Sequence, residues 1–462
     1  MKLPSLRRRM ARRPRRGLLT RVRPPQLIAL VYLLGIALGT AALHLPGMTR
    51  PEANLSTVDL LFTATSAVCI TGLVVADTSE AFTRAGQVTI LVLAQIGGLG
   101  IITFGTLFAL LAGRRVNFSE RQHLAQQVNA LNVGSVLGLV RIIFLYTLAA
   151  QAAGTLLLSW RFVPQFGLGE GLYQAVFHAI SAYNNAGFVV LPGGMTPYVA
   201  DPLVSGVIAL LIVLGGLGFL VQLNLITHWQ APRRNRMLVY SRLTLWTTGV
   251  LLVAGTGLLL ALEWARAGTL GPLSAPAKLL AAFFQSVTPR SGGFATVDMT
   301  ALSSASIFLM VALMFIGANS GSTGGGIKTS TFAILLGSAW NLIRGRTELV
   351  VFGRLVLPEN VVRAGTITTI YTLLVFGSFF LMLVTNPALG FTPLLFETVS
   401  AAATVGLSLN VTPHLNDAGL LILSTLMYLG RIGPVTFAVA LNLRQPPVKG
   451  VKYPPERDIL VG

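Results

Sequence analysis

Four short stretches share one pattern of residue types: Ser66-Ala-Val-Cys-Ile-Thr-Gly72-Leu73, Ser181-Ala-Tyr-Asn-Asn-Ala-Gly187-Phe188, Val287-Thr-Pro-Arg-Ser-Gly-Gly293-Phe294 and Ser400-Ala-Ala-Ala-Thr-Val-Gly406-Leu407. Each ends in Gly followed by Phe or Leu, and the Gly-to-Gly spacings are 115, 106 and 113 residues. A period this constant indicates internal duplication. The residues approaching each glycine are chemically unequal: Cys69-Ile70-Thr71-Gly72, Asn184-Asn185-Ala186-Gly187, Arg290-Ser291-Gly292-Gly293 and Ala403-Thr404-Val405-Gly406. Their side chains therefore cannot be a shared ligand set, but their backbone carbonyls can. Rings of carbonyl oxygen replace the hydration shell of a cation such as K⁺, and Gly is expected wherever the strand must take a positive φ. The expected chemistry is reversible ligation of a monovalent cation. Only the fourth strand, Thr404-Val405-Gly406, approaches a potassium-channel signature, so fewer well-formed ion sites are expected than in a potassium channel.

A second cluster lies at Gly317-Ala-Asn319-Ser-Gly321-Ser-Thr-Gly324-Gly325-Gly326-Ile-Lys328. Gly321 and Gly326 have phosphate-loop spacing, but Ile327 stands where the lysine of such a loop belongs and no βαβ context surrounds it, so nucleotide binding by this chain is not expected. The run interrupts Ser303–Ile343, which as one straight helix would be about 61 Å long, twice the hydrocarbon thickness. It is too rich in Gly to stay helical. Either it is a flexible cytoplasmic linker, or it sits within the membrane below the four strands as a gate. Arg431, in the otherwise apolar Leu420–Leu441, is its expected counterpart, because an intramembrane Arg usually faces an interior or a cavity. It either packs against helix-end carbonyls or hinders cation passage.

Other candidates are weaker. Arg290 is expected to pair with a pore-helix acid or with carbonyls behind its strand rather than with the ion. Asn184 and Asn185 either line the path or brace the strands. Asp77, Glu80, Asp201 and Asp298 either concentrate cations at the outer mouth or are ordinary solvated charges. His44, His123, His178, His228 and His414 are scattered without metal-ligand spacing, no nucleophile–base pair is visible, and Cys69 is alone. An enzyme and a protein-bound metal centre are thus not expected.

The elements that must hold the strands are membrane helices. Only 11% of residues are charged and the mean hydropathy is +0.73, which excludes an ordinary soluble domain. Around each glycine the pattern repeats. A long apolar helix comes first (Gln26–Leu45, Val136–Trp160, Val239–Ala265, Val361–Val384), followed by a segment too short to cross (Thr57–Val68, Glu170–Tyr183, Pro276–Val287, Phe391–Ala403). The strand and a second apolar helix complete the unit. The fold class is therefore an all-α polytopic membrane protein, with four tandem helix–pore helix–filter–helix repeats around one pore and eight crossing helices. The expected boundaries are a basic tail at 1–25, repeats at 26–113, 134–230, 239–343 (with the loop at 317–328) and 361–443, and a second tail at 444–462. Gly97-Gly98, Gly215-Gly216, Gly317 and Gly430 mark the second helices, as packing sites or hinges. The net charge of +19 does not point to nucleic acid. Of 34 Lys/Arg, 26 fall in the two tails and in three alternate connections. That alternation puts both termini in the cytoplasm and lets the N-terminal tail meet anionic lipid headgroups.

The quoted stretches Thr65–Leu73, Asn184–Phe188 and Thr288–Phe294 resemble those of the Trk/Ktr/HKT superfamily of cation transporters, in its bacterial KtrB-type branch. The resemblance covers nearly the whole chain from Gln26. It implies a multi-pass protein of the bacterial inner (cell) membrane, a homodimer with one pore per subunit, and a cytosolic ring of nucleotide-binding, KtrA-like regulatory subunits. It also implies K⁺ as substrate, with Na⁺ as a stimulator, no covalent cofactor, nucleotide only on the partner, and an intramembrane gate loop opposed by Arg431. A Na⁺ or less selective transporter of the same superfamily remains the alternative. A secondary transporter with inverted repeats fits less well, because all four units read in one direction.

Overall fold

The computed structural model describes residues 24–111, 136–230, 232 and 236–433. The expected tails, the basic stretch 114–135, His123 and the end of the fourth repeat beyond residue 433 lie outside the described residues.

The same sequence of elements occurs four times. A long helix opens each unit: α1 (Pro24–Leu43), α5 (Val136–Phe166), α9 (Val239–Glu263) and α13 (Pro358–Thr385). A short helix follows: α2 (Thr57–Val68), α6 (Leu168–Tyr183), α10 (Ala275–Val287) and α14 (Phe391–Ala402). Local chemistry sets the first of these starts. Ser56 and Asp59 form a reciprocal capping box on α2, with Ser56 N donating to Asp59 Oδ2 at 2.8 Å and Asp59 N donating to Ser56 Oγ at 3.2 Å. The single-turn α3 (Thr78–Ala81) lies in the connection that follows the first strand.

The second helices differ among the units. In the first, α4 (Arg84–Leu111) is continuous through Gly97-Gly98. In the second, α7 (Pro202–Leu217) and α8 (Phe219–Gln230) meet at 98° about Gly218, whose φ is +84°. In the third, α11 (Ser304–Phe315) and α12 (Thr329–Ile343) flank the glycine-rich run, which is therefore not helical, as expected. In the fourth, α15 (Asp417–Ile432) is capped at Gly433, φ +88°, so the helix expected over Leu420–Leu441 is broken two residues after Arg431, and its remainder lies outside the described residues. Among the described residues four helices are long and apolar enough to cross a bilayer unaided, those of residues 26–43, 140–166, 239–263 and 358–385; the bent α7–α8 pair adds a fifth.

Burial is inverted relative to a water-soluble protein. Leu30, Leu33, Leu38, Val362, Phe376 and Phe380 face outward on α1 and α13, while Thr63, Ser66, Asn184, Asn185, Ser291, Thr398 and Ser400 are buried around the centre. That distribution suits a lipid exterior. The largest apolar cluster packs the first and fourth units together around Phe62, Ile70, Phe396 and Val405, and a second packs α5–α7 against α10 around Phe162, Ile212 and Phe284. One element had no counterpart in the sequence reading. Strands β1 (Val350–Val351) and β2 (Arg354–Leu355) form a hairpin closed by Phe352 and Gly353, both with positive φ, as a two-residue type I′ turn requires.

Candidate functional site

The strands that follow α2, α6, α10 and α14 meet in a closed ring. A Cβ built on Gly72 would lie 2.5 Å from Ala186 O. On Gly187 it would lie 3.0 Å from Gly293 Cα, and on Gly293 2.5 Å from Val405 O. On Gly406 it would strike Thr71 O, which returns to the first strand. The four glycines have φ of +92°, +70°, +77° and +94°. Positive φ and the absence of space both require Gly there.

Left-handed backbone also recurs two residues earlier, at Ile70, Asn185, Ser291 and Thr404, with φ of +51°, +59°, +79° and +48°. This was not legible in the sequence, since Ile and Thr are β-branched and disfavour that region. Strain of this kind persists where the surroundings over-determine it. Thr71 N, Ala186 N and Val405 N donate to the carbonyls of Ser66, Ser181 and Ser400 at 2.8–2.9 Å. Gly72 N and Gly406 N donate to the hydroxyls of Ser66 and Ser400 at 3.0 and 3.1 Å. Ser181 Oγ donates instead to Phe188 O at 2.8 Å. In the third unit Val287 has no hydroxyl, and Thr288 takes over: it donates to Phe294 O at 2.6 Å and its carbonyl accepts from Gly292 N at 2.7 Å. The serine that opens three of the four stretches was the available signal for this role.

The asparagine and arginine side chains of the strands turn away from the ring. Asn184 Nδ2 donates to Gln95 Oε1 at 2.5 Å and to Ile180 O at 2.9 Å. Asn185, in the amide orientation that satisfies its neighbours, donates to Ala182 O and Ile212 O. Both asparagines thus brace the strand. Arg290 donates to Thr248 Oγ1 at 3.3 Å and lines a small cavity with Ile212, Gly216 and Asn319. Neither a pore-helix acid nor a strand carbonyl is its hydrogen-bond partner. Cys69 is buried. Of the outer acids, Asp77, Asp201 and Asp298 cap helix starts through Ser79, Leu203 and Thr300 N–H groups, and Asp201 also pairs with Arg161 at 2.7 Å. Among the described residues no cluster of His, Cys, Asp and Glu could hold a metal ion.

The run 317–328 is packed directly beneath the ring. Gly325 N donates to Ser291 Oγ at 3.2 Å, and Ser291 Oγ in turn donates to Thr404 O at 2.7 Å. A Cβ on Gly325 would lie 2.7 Å from Ala403 O, and one on Gly324 2.7 Å from Ser291 Cβ. Gly317 and Gly326 cross each other with equally little room. The break between α7 and α8 frees carbonyls at Gly215 and Gly216, and the run satisfies them. Asn319 N and Nδ2 donate to Gly216 O at 3.1 and 2.9 Å, and Thr323 N donates to Gly215 O at 3.4 Å. In return Phe219 N donates to Gly321 O at 3.2 Å. Tyr240 on α9 adds a bond to Ser320 O at 2.8 Å. A flexible linker would not be stitched on two sides in this way.

Two cations close the arrangement. Lys328 Nζ donates to Gly324 O at 2.7 Å. Arg431 is buried; Nη1 reaches Thr323 O, Nη2 donates to Gly97 O at 2.7 Å and Nε to Tyr32 Oη at 3.3 Å. Tyr32 Oη also donates to Gly97 O at 2.9 Å. The marker glycines act mainly in packing. Gly97, Gly215 and Gly430 lie against the last carbonyls of their pore helices, at Val68, Tyr183 and Ala402. The positions equivalent to Gly430 are therefore Gly97 and Gly215 rather than Gly98 and Gly216. The hinge is Gly218.

A helical membrane protein with a closed ring of Gly-centred strands and a glycine-rich loop packed beneath it has a construction compatible with a cation pathway. The family model described as "TrkH: Cation transport protein" matches residues 36–449, and the chain belongs to that family of cation transport proteins; it is a transporter, not an enzyme. It is 39% identical to the Ktr system potassium uptake protein B of Bacillus subtilis, over 94% of this chain and 96% of that protein. It is 38% identical to the Ktr system potassium uptake protein B of Vibrio alginolyticus, over 95% of each. It is also 35% identical to the potassium/sodium uptake protein NtpJ of Enterococcus hirae, over 96% of this chain and 98% of that one. The crystal structure of the potassium transporter TrkH from Vibrio parahaemolyticus superposes with a TM-score of 0.71 at 20% identity, covering 93% of this chain and 86% of that one; it shares the fold.

Proposed function

We propose that this chain is the ion-translocating subunit of a potassium uptake system. The ring carries the reading: four strands, each left-handed at the glycine and two residues before it, touch one another in the order first, second, third, fourth, first. Backbone of that shape departs from the alternation of a β-strand and can present successive carbonyls to a common axis, where they replace water around a K⁺ ion. The pore helices direct their negative C-terminal ends at the same place, which favours a cation. Cys69–Gly72, Asn184–Gly187, Arg290–Gly293 and Ala403–Gly406 would contribute main-chain oxygens, the last four through a strand closest to a potassium-channel sequence.

Gly317–Lys328 and Arg431 would form the gate. Buried beneath the ring, the loop with Lys328, together with Arg431 on α15, blocks passage of a cation until the loop moves. On this reading each unit crosses the bilayer twice, giving eight crossings with both termini cytoplasmic, in the bacterial inner membrane. The subunit functions as a homodimer on a cytosolic, nucleotide-binding ring, with Na⁺ as a stimulator. A potassium uptake system of several components is supported by the names of the Bacillus and Vibrio relatives.

The test is growth of a K⁺-uptake-deficient bacterium at low K⁺, with and without the regulatory subunit and Na⁺. Rescue by the complete system supports the reading; failure of every combination contradicts it. A less selective monovalent cation transporter is the second reading. It is favoured by the single potassium-channel-like strand and by the relative named for potassium and sodium, and it predicts equal K⁺ and Na⁺ uptake.

A further inference from the structure

The four pore helices differ at one buried position. Nine residues before the ring glycines stand Thr63, His178, Phe284 and Glu397. Thr63 bonds back within its own helix to Asp59 O at 2.8 Å, and Phe284 packs in an apolar cluster. The other two reach forward to the segment that leaves the ring. His178 Nε2 accepts from Val190 N at 3.3 Å, and Glu397 Oε1 accepts from the Ser408 hydroxyl. The second and fourth strands lie opposite each other in the ring, so these two latches are diagonal. Only the fourth carries a carboxylate.

Glu397 is fully buried. Among the described residues no Lys or Arg forms an ion pair with it; its Oε2 has no hydrogen-bond partner within 3.5 Å, although the Val411 and Thr412 backbone N–H groups and the Thr412 hydroxyl face the carboxyl group. A buried carboxylate in a low-dielectric interior is costly: it either takes up a proton or is compensated by a positive charge. Among the described residues no such charge stands against it; a cation in the pathway would supply one. One helical turn further on, about 5 Å of rise, Ser400 holds the fourth strand through Val405 N at 2.9 Å and Gly406 N at 3.1 Å.

We propose that Glu397 is a fixed countercharge of the ion pathway: clamped by Ser408 behind the fourth strand, its carboxylate favours a dehydrated cation in the ring and sets the affinity for K⁺. This deepens the filter reading and rests on it. The residue does not touch the ion; it acts through its field. At an effective dielectric of about 20 and a separation of about 10 Å, one charge corresponds to roughly a tenfold change in cation affinity.

Glu397→Gln removes the charge and keeps an acceptor for Ser408, whereas Ser408→Ala removes the clamp and keeps the charge. K⁺ uptake would be measured in K⁺-uptake-deficient cells carrying the complete system. The expected result is a KM for K⁺ raised about tenfold in Glu397→Gln with the maximal rate within threefold, and a KM within threefold of the parent in Ser408→Ala and in Glu397→Asp. An unchanged KM in Glu397→Gln overturns the proposal, leaving Glu397 a neutral latch. An equal shift in Ser408→Ala overturns it as well, because the effect is then structural. If Glu397→Gln is not recovered as folded protein, Glu397→Asp decides: a tenfold or larger rise in KM there contradicts the proposal. Gly293→Ser, run alongside, separates the two levels. Altered ion preference in Gly293→Ser beside an inert Glu397→Gln removes only the countercharge. No effect of either removes the filter reading too.

Discussion

The ring and the layer directly beneath it are built on opposite plans. In the ring all four units obey one rule, with positive φ at the glycine and two residues before it and the next strand's backbone in contact. One turn of helix lower the symmetry is gone. The first unit keeps a straight α4, the second bends 98° at Gly218, the third inserts 316–328 between α11 and α12, and the fourth supplies Arg431 just before its helix stops. A dehydrated spherical ion asks the same thing of every side, so the part that would hold it gains from repetition. A single movable plug needs a socket on one side and an anchor on the other, which four equal units cannot provide. On the proposed gate, the socket would be the pair of carbonyls freed at Gly215 and Gly216, and the anchor Arg431 with Tyr32 and Gly97 O.

The contrast can be broken at several levels. The largest effect is expected in the ring. Gly406→Ala places a methyl group against Thr71 O at a residue with φ +94°, and K⁺ uptake should fall more than a hundredfold; near-normal uptake would show that the ring is not the path. Next is removal of 319–326, which should raise K⁺ flux into proteoliposomes at least tenfold and reduce dependence on the regulatory subunit. Unaltered flux would sink the plug. Asn319→Ala should act in the same direction more weakly, by about five- to tenfold, because it loses the Nδ2 bond to Gly216 O while the backbone bond remains. The smallest change is Tyr240→Phe, which loses one bond to Ser320 O. At about 0.5–1.5 kcal/mol per hydrogen bond, leak without the regulator should rise two- to tenfold. A fall in leak would mean that α9 does not hold the loop shut.

Much of the ring could be read from the chain alone, because repetition and helix periodicity are local signals. The pore helix expected at Thr57–Val68 is present with those bounds, and the three others begin or end within two residues of expectation. The broken third unit was also legible, since eight residues that include four glycines cannot carry a helix. What escaped depends on neighbours distant in sequence. Ile70 and Thr404 take left-handed φ only because ring closure holds them there. Gly97 rather than Gly98 meets its pore helix because the approach is set by how α4 rotates against α2. The partner of Arg290 proved to be Thr248 on α9, forty-two residues away, and no pattern near Arg290 pointed to it. Asn184 and Asn185 had two open roles, and their bonds to Gln95 and to Ala182 and Ile212 place both behind the strand.

The most direct measurement of the filter reading is the K⁺/Na⁺ uptake ratio of Gly293→Ser against the parent chain in reconstituted vesicles, with the loop 319–326 removed from both so that gating does not enter. Gly293 has φ +77° and sits 2.5 Å from Val405 O by its ideal Cβ, so a serine must distort two strands at once. A carbonyl ring predicts that the preference for K⁺ falls at least tenfold while total cation flux persists. A ratio unchanged within twofold would contradict it.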